Sequence, residues 1–349
     1  MATLKDISAV CGLSVASVSR ALNDHSDISE AKKIMVREIA GQMGYGNPRM
    51  DRGRNHSFLI GILVTGEAQS RFNDLIIMEI RQFLMEEGYD VVILSPSEGE
   101  KENENRPAYL SRARMMKLEG IILFSSLQDK EICLGRKQKK LRELIFGEIP
   151  VVAVNCTLPS CGCVKPAYEE GLRSLFEHVY SKGHRRIAFL SGKTAGNCIL
   201  WDETVENFLR EKQLTVPRKF ICRMEKDSSR EAYDVTAELV SRDKWLSPTC
   251  ILFGDQFLME GGVSAILRQG LRIPEDLSVA AMCYSLREER AGICATSWFL
   301  SPARIAKEAV ELILLEIRSP GITTRQIRVV EGVMREGWTT APPAAALRA

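Results

Sequence analysis

Residues 3–23 read TLKDISAVCGLSVASVSRALN. Leu4, Ile7 and Cys11 recur at the spacing of one helical face. Gly12 then interrupts the helix, since a residue without Cβ tolerates the positive φ of a tight turn. Leu13 sits in that turn, where it can close a small core, and Ser14 is suited to cap the next helix. Val18, Ala21 and Leu22 give the second helix its buried face. Two short helices joined this way form a helix-turn-helix, whose second helix can be presented to a DNA major groove. Its outer face holds Val15, Ala16, Ser17 and Arg20. Short side chains at the helix start allow close approach to base edges, and Arg20 can reach a guanine bidentately or a phosphate. Ser14, Ser17 and Asn23 are expected at phosphates, which position rather than specify, and Thr3 completes the candidate set. A third helix, roughly 29–43, starts at Ser29, buries Val36, Ile39 and Met43, and is closed by Tyr45. The competing reading is a three-helix cap with no DNA role; the glycine turn and serine-rich helix start favour DNA.

Moving outward, residues 46–57 (GNPRMDRGRNHS) have a linker composition. Arg49, Arg52 and Arg54 there could bind phosphates or a narrow minor groove, or stay solvated. From Phe58 the pattern changes. Short apolar runs lie at 58–65, 90–95, 119–124, 150–154, 186–191, 249–253 and 278–283. Helical-looking stretches separate them, near 73–87, 106–118, 138–147, 169–182, 203–213, 229–241, 257–269 and 302–318. Strands that are apolar throughout, alternating with helices, imply parallel sheets covered on both faces. The repeats are too many for one small sheet. The expectation is an all-α helix-turn-helix headpiece (1–45), a hinge (46–57) and an α/β core (58–340) of two doubly wound parallel-sheet lobes with a ligand cleft between them, then a tail at 341–349. Lobe 1 is expected at about 58–156 and 284–318, and lobe 2 at about 157–283 and 319–340.

The 349 residues are 45% hydrophobic and 26% charged, which excludes disorder over most of the chain. The net charge is only +2, so a nucleic-acid footprint must be local. No apolar run approaches the length of a membrane span, and MATLKDIS does not open like a secretory signal. The ten Cys are scattered and read as small, reduced core residues of a cytoplasmic protein.

The stretch TLKDISAVCGLSVASVSRALND, followed by ISEAKKIMVREIAGQMGY, resembles the lactose-repressor family of bacterial transcription regulators. Weaker matches continue through IGILV (60–64), EGYDVVIL (87–94), EGIIL (119–123), IPVVAVN (149–155), GHRRIAFLSG (183–192), GLRIPEDLSV (270–279) and REGWTTAPP (335–343). The resemblance implies a periplasmic-binding-protein-like core and a homodimer on a near-palindromic double-stranded operator. It also implies a repressor whose DNA affinity is shifted by a small effector, a sugar or related metabolite, in the cleft. By the same analogy Val15, Ala16 and Arg20 sit at base contacts.

Two departures stand out. The family's hinge carries a Leu that wedges into the minor groove; here PRMDRGRNHS offers only Met50, and Gly53 weakens a hinge helix. In the pocket, the Arg of sugar-binding members falls near Trp201 and their Asp near Cys283, while Gly254-Asp255 keeps only the acid of a typical pair. Glu170, Phe72 and Arg71 complete the expected effector set. Trp201 could instead be core packing, and Asp255 a helix N-cap. Loss of the sugar-binding pair leaves open a regulator that answers to a protein partner, or that has no small effector.

Other chemistry finds less support. Cys156, Cys161 and Cys163 lack the C-x2-C pairs or nearby His of a metal site, so no metal is expected. The chain has no G-x-G-x-x-G after a strand, no G-x4-G-K-[ST], no G-x-S-x-G and no H-E-x-x-H, and SGKTAG (191–196) lacks the upstream glycine of a phosphate loop. An enzyme is not expected, nor a cofactor.

Overall fold

The computed structural model describes residues 4–22, 28–42, 56–65, 70–94, 113, 115–125, 149–157, 161–192, 198–224, 228–240, 247–285, 294–319 and 326–344. Expected helices near 106–118 and 138–147 fall largely or wholly outside them.

Three short helices come first: α1 (Leu4–Cys11), α2 (Val15–Leu22) and α3 (Glu30–Gln42). Ile7, Val18, Ala21, Val36 and Ala40 seal a private core, with Leu4, Cys11, Leu13, Ile28 and Ile39 packed against it. Gly12 takes φ +65° between the first two helices, the left-handed turn expected of it. The Ser8 hydroxyl donates to the Leu13 carbonyl at 2.6 Å and ties the turn down.

The apolar runs become β1 (Leu59–Thr65), β2 (Asp90–Leu94), β3 (Gly120–Ser125), β4 (Val151–Val154), β6 (Ile187–Gly192), β8 (Cys250–Phe253) and β9 (Ser278–Cys283). Five short strands join them: β5 (Gly162–Pro166), β7 (Ile221–Met224), β10 (Thr296–Phe299), β11 (Ile327–Val330) and β12 (Val333–Arg335). Among the described residues the helices of the core are α4 (Arg71–Glu86), α5 (Tyr168–Ser181), α6 (Cys198–Glu211), α7 (Ser229–Leu239), α8 (Gln256–Arg268) and α9 (Pro302–Arg318).

These strands make two six-stranded sheets, ordered β11-β5-β4-β3-β1-β2 and β12-β10-β9-β8-β6-β7. Every pairing is parallel except β10 with β12. The central strands are buried on both faces, as parallel sheets require, and the edge strands are partly exposed. In lobe 1, α4 and α9 pack on one face through Ile76, Ile80, Ile305 and Ile313. In lobe 2, α5 and α6 cover one face and α7 and α8 the other.

The lobe boundaries differ from those expected. β5 (162–166) and β11 (327–330) belong to the first sheet, and β10 (296–299) to the second. The chain therefore crosses between lobes at Ala167, at Leu300–Ser301 and at Glu331–Gly332. The short strands escaped notice because GCVKP, TSWF and IRVV interrupt their apolar character with Lys, Thr, Ser or Arg. The crossings lie together: the Ala167 N–H donates to the Val330 carbonyl at 2.9 Å, and Leu300 N–H to Cys283 at 2.8 Å. Trp298 packs there against Gly171 and Gly332, where a Cβ would collide with its ring.

Candidate DNA interface and interlobe cleft

Ser14 caps α2 as expected: its hydroxyl oxygen accepts the Ser17 N–H at 3.1 Å and lies 2.9 Å from the Ser17 hydroxyl. The cap leaves Val15, Ala16 and Arg20 exposed and Ser17 half-buried, while Val18 and Ala21 face inward. A sealed core thus holds a face of two small side chains and one guanidinium outward. Thr3, Asn23, Arg49, Met50, Arg52 and Arg54 lie outside the described residues.

The second assembly forms where helix starts from both lobes meet beyond the carboxyl ends of the strands, the place ligands occupy in doubly wound folds. Ser70 caps α4 through the Asn73 N–H at 3.2 Å, and so presents Arg71, Phe72 and Asn73 from lobe 1. Asp255 caps α8 from lobe 2, accepting the Phe257 N–H at 2.6 Å. Between them stands Tyr284, the residue after β9. Its hydroxyl donates to Asp255 Oδ2 at 2.8 Å. Its ring lies 4.9 Å from Phe72 and 6.1 Å from Phe257, centroid to centroid. The Arg71 guanidinium sits 3.9 Å above the Phe257 ring. Tyr168, opening α5, meets Phe72 edge-on at 6.3 Å. On the lobe 1 side, Asn155 donates from Nδ2 to Asn73 Oδ1 at 3.3 Å.

Burial raises the Asp255 carboxyl above its ordinary range, against the opposing pull of the Tyr284 hydroxyl, the Phe257 and Leu258 N–H groups and Arg71. Burial, with the Asp255 charge behind it, also raises Tyr284, so its phenol stays protonated and keeps donating. Gln256 Oε1 accepts the backbone N–H groups of Tyr284 (3.3 Å) and Ser285 (3.0 Å), which fixes where the ring enters.

Phe72, Arg71 and Asp255 are thus brought together. Trp201 and Cys283 are not part of that contact set. Trp201, 4% exposed, packs edge-on to Phe176 and so closely over Gly254 that a Cβ there would stand 3.2 Å from the indole. It is buried in the core, and among the described residues its Nε1–H finds no acceptor. Cys283 is 4% exposed in the lobe 2 core with Leu190, Phe253 and Ala281. Successive strand residues face opposite ways, so its cleft position belongs to Tyr284. Glu170 is exposed on the first turn of α5. Sequence reasoning missed Tyr284, Phe257, Tyr168, Asn73 and Asn155. The first two lie just past Cys283 and Asp255, and an aromatic at the carboxyl end of an apolar run was the signal that could have found them. Among the described residues no helix is long and apolar enough to cross a membrane, and no cluster of His, Cys, Asp and Glu could hold a metal ion.

Comparison with known proteins matches residues 3–47 to "Bacterial regulatory proteins, lacI family" and residues 176–337 to "Periplasmic binding protein-like domain". The chain carries a lacI-family DNA-binding headpiece on a periplasmic-binding-protein-like core. Similar proteins include the HTH-type transcriptional repressor PurR of Vibrio atlanticus, 25% identical over 327 residues (91% of this chain and 92% of that protein). The PurR repressor of Vibrio vulnificus is 26% identical over 329 residues, with the same coverage. The fold of this chain is similar to that of a lac repressor dimer bound to operator and the anti-inducer ONPF. The TM-score is 0.70 at 19% identity, covering 97% of this chain and 99% of that one. A LacI family regulator from Enterococcus faecium with bound ribose matches with TM-score 0.65 at 18% identity, over 82% of this chain and all of that one.

Proposed function

We propose that this protein is a sequence-specific transcriptional repressor that binds a near-palindromic operator as a homodimer, its affinity set by a small effector held between the lobes. The observation that carries the DNA half is the capped α2, whose outward face offers Val15, Ala16 and Arg20 from a sealed core. Two such helices one duplex turn apart would read a two-fold site. A second copy is supported by the outer surface of lobe 1. There α4 exposes Met78 (68%) and Met85 (53%), and the neighbouring edge strand β2 exposes Ile93 (61%), apolar surface that a second copy could cover. That proteins similar in fold bind ONPF or ribose supports an effector in the cleft.

The test is a selection from randomised duplexes with the full-length protein, followed by titration of the selected site. A two-fold symmetric site is expected. Arg20→Ala should weaken binding ten- to a hundredfold, the worth of one good base contact of about 1–3 kcal/mol, with circular dichroism unchanged. Unchanged affinity would overturn the assignment. One observation favours a second reading, control by a protein partner: Asp255 already spends its oxygens on Tyr284 and on helix N–H groups, so a polyol would find them engaged.

A further inference from the structure

We propose that Tyr284 is a tethered stand-in for the effector, and that the ligand which displaces it is a phenol carrying an anionic group. The inference deepens the effector reading above and rests on it. The phenol of Tyr284 makes the contacts a bound molecule would make. Its hydroxyl donates to the Asp255 carboxylate at 2.8 Å, its ring lies against Phe72 of the opposite lobe at 4.9 Å, and it approaches Phe257 at 6.1 Å. It stands at 6% exposure on the strand end where doubly wound folds bind ligands. Phe72 comes from lobe 1 and the other three groups from lobe 2, so the phenol links the lobes without any outside molecule. A free ring with a hydroxyl for Asp255 reproduces those contacts once Tyr284 swings away. Arg71, exposed and stacked 3.9 Å over Phe257, lies beside this slot and can accept a carboxylate in its guanidinium fork. A tethered ring competes at an effective concentration on the order of millimolar or more, so a simple phenol would not evict it. A phenol that also pairs with Arg71 gains the contact that tips the exchange.

The experiment uses the full chain and its Tyr284→Ala variant. Melting temperature is followed against 4-hydroxybenzoate, p-cresol (hydroxyl without carboxylate) and benzoate (carboxylate without hydroxyl). With the tether removed, 4-hydroxybenzoate should raise the midpoint by a few degrees at saturating concentration, p-cresol by less and benzoate least. The wild-type shift should be smaller at each concentration. No response in Tyr284→Ala, benzoate matching 4-hydroxybenzoate, or a wild-type shift equal to the variant's would each overturn the proposal. If Tyr284→Ala does not fold, Tyr284→Phe keeps the ring and removes only the bond to Asp255. 4-Hydroxybenzoate should then bind about fivefold tighter than to wild type, the worth of one hydrogen bond. Equal affinity would overturn the proposal. None of these readouts involves DNA, so they can fail while the Arg20 test succeeds, and the reverse.

Discussion

Gly12 turns the headpiece at φ +65° with open space around its Cα, so a side chain there meets backbone strain rather than a clash. Gly12→Val should destabilise the headpiece by about 1–2 kcal/mol, and Gly12→Asn by less, because asparagine tolerates this region. Headpiece amide exchange would measure both. His184 is a second single-residue lever. Its Nε2–H donates to the Ala341 carbonyl at 2.9 Å, and its Nδ1 meets the Thr249 hydroxyl at 2.9 Å, which pins the segment after β12 to lobe 2. Burial pushes its pKa down to about 4 from 6.5. Above pH about 6.5 the ring is neutral folded or unfolded, and stability is undiminished. As pH falls towards 4 the unfolded chain takes up the proton first, so about 3 kcal/mol is lost across that window. Urea unfolding of wild type at pH 7.5 and 4.5 should show that loss, and His184→Gln should flatten it. At this scale the sequence was legible where a residue's chemistry is local: the Gly12 turn, the Ser14 cap and the acid at Asp255. It was not legible at Cys283, because moving one residue along a strand reverses the face and exchanges a core thiol for the Tyr284 phenol.

At the scale of elements, the starts of α4 and α8 are set by caps and not by the apolar stripe of each helix. Asp255→Ala should remove the α8 cap at a cost of about 1 kcal/mol, with the Tyr284 bond lost as well, while Asp255→Asn keeps an acceptor for the Phe257 N–H and should cost less. Thermal melts of the two variants would separate capping from charge. The long apolar runs could be read directly because parallel strands buried on both faces contain nothing else. The five short strands could not. β7, β11 and β12 lie at sheet edges, where one side needs no partner, and β5 and β10 each pair on one side with the preceding strand but on the other with β11 or β12, far along the sequence. Local pattern carries no trace of such distant pairing, and that is why the lobe boundaries were misplaced while the number of lobes was not.

For the whole molecule, the crossings at Ala167, Leu300–Ser301 and Glu331–Gly332 restrict motion between the lobes to bending about one shared region. A Cβ at Gly332 would strike the Trp298 indole and the Phe299 carbonyl, so Gly332→Val should disturb how the lobes sit while sparing each sheet. Small-angle scattering of the variant should change with helix content intact. Met78→Glu tests the second copy: it should shift sedimentation from dimer to monomer, and no shift would remove α4 from the interface.

The same crossings bear on how the protein is made. Neither lobe is a continuous stretch of chain: lobe 1 opens with β1 at Leu59 and acquires its last strand, β11, only at Ile327–Val330. The helix α9, whose Ile313 and Ile317 press on Gly120 of β3, leaves the ribosome after most of lobe 2. At ordinary elongation rates, on the order of ten seconds separate β5 from that cover. During that interval the part of the Ile and Val face that α9 will cover is open, so a ribosome-bound chain paused before α9 is expected to bind a chaperone more readily than the finished one.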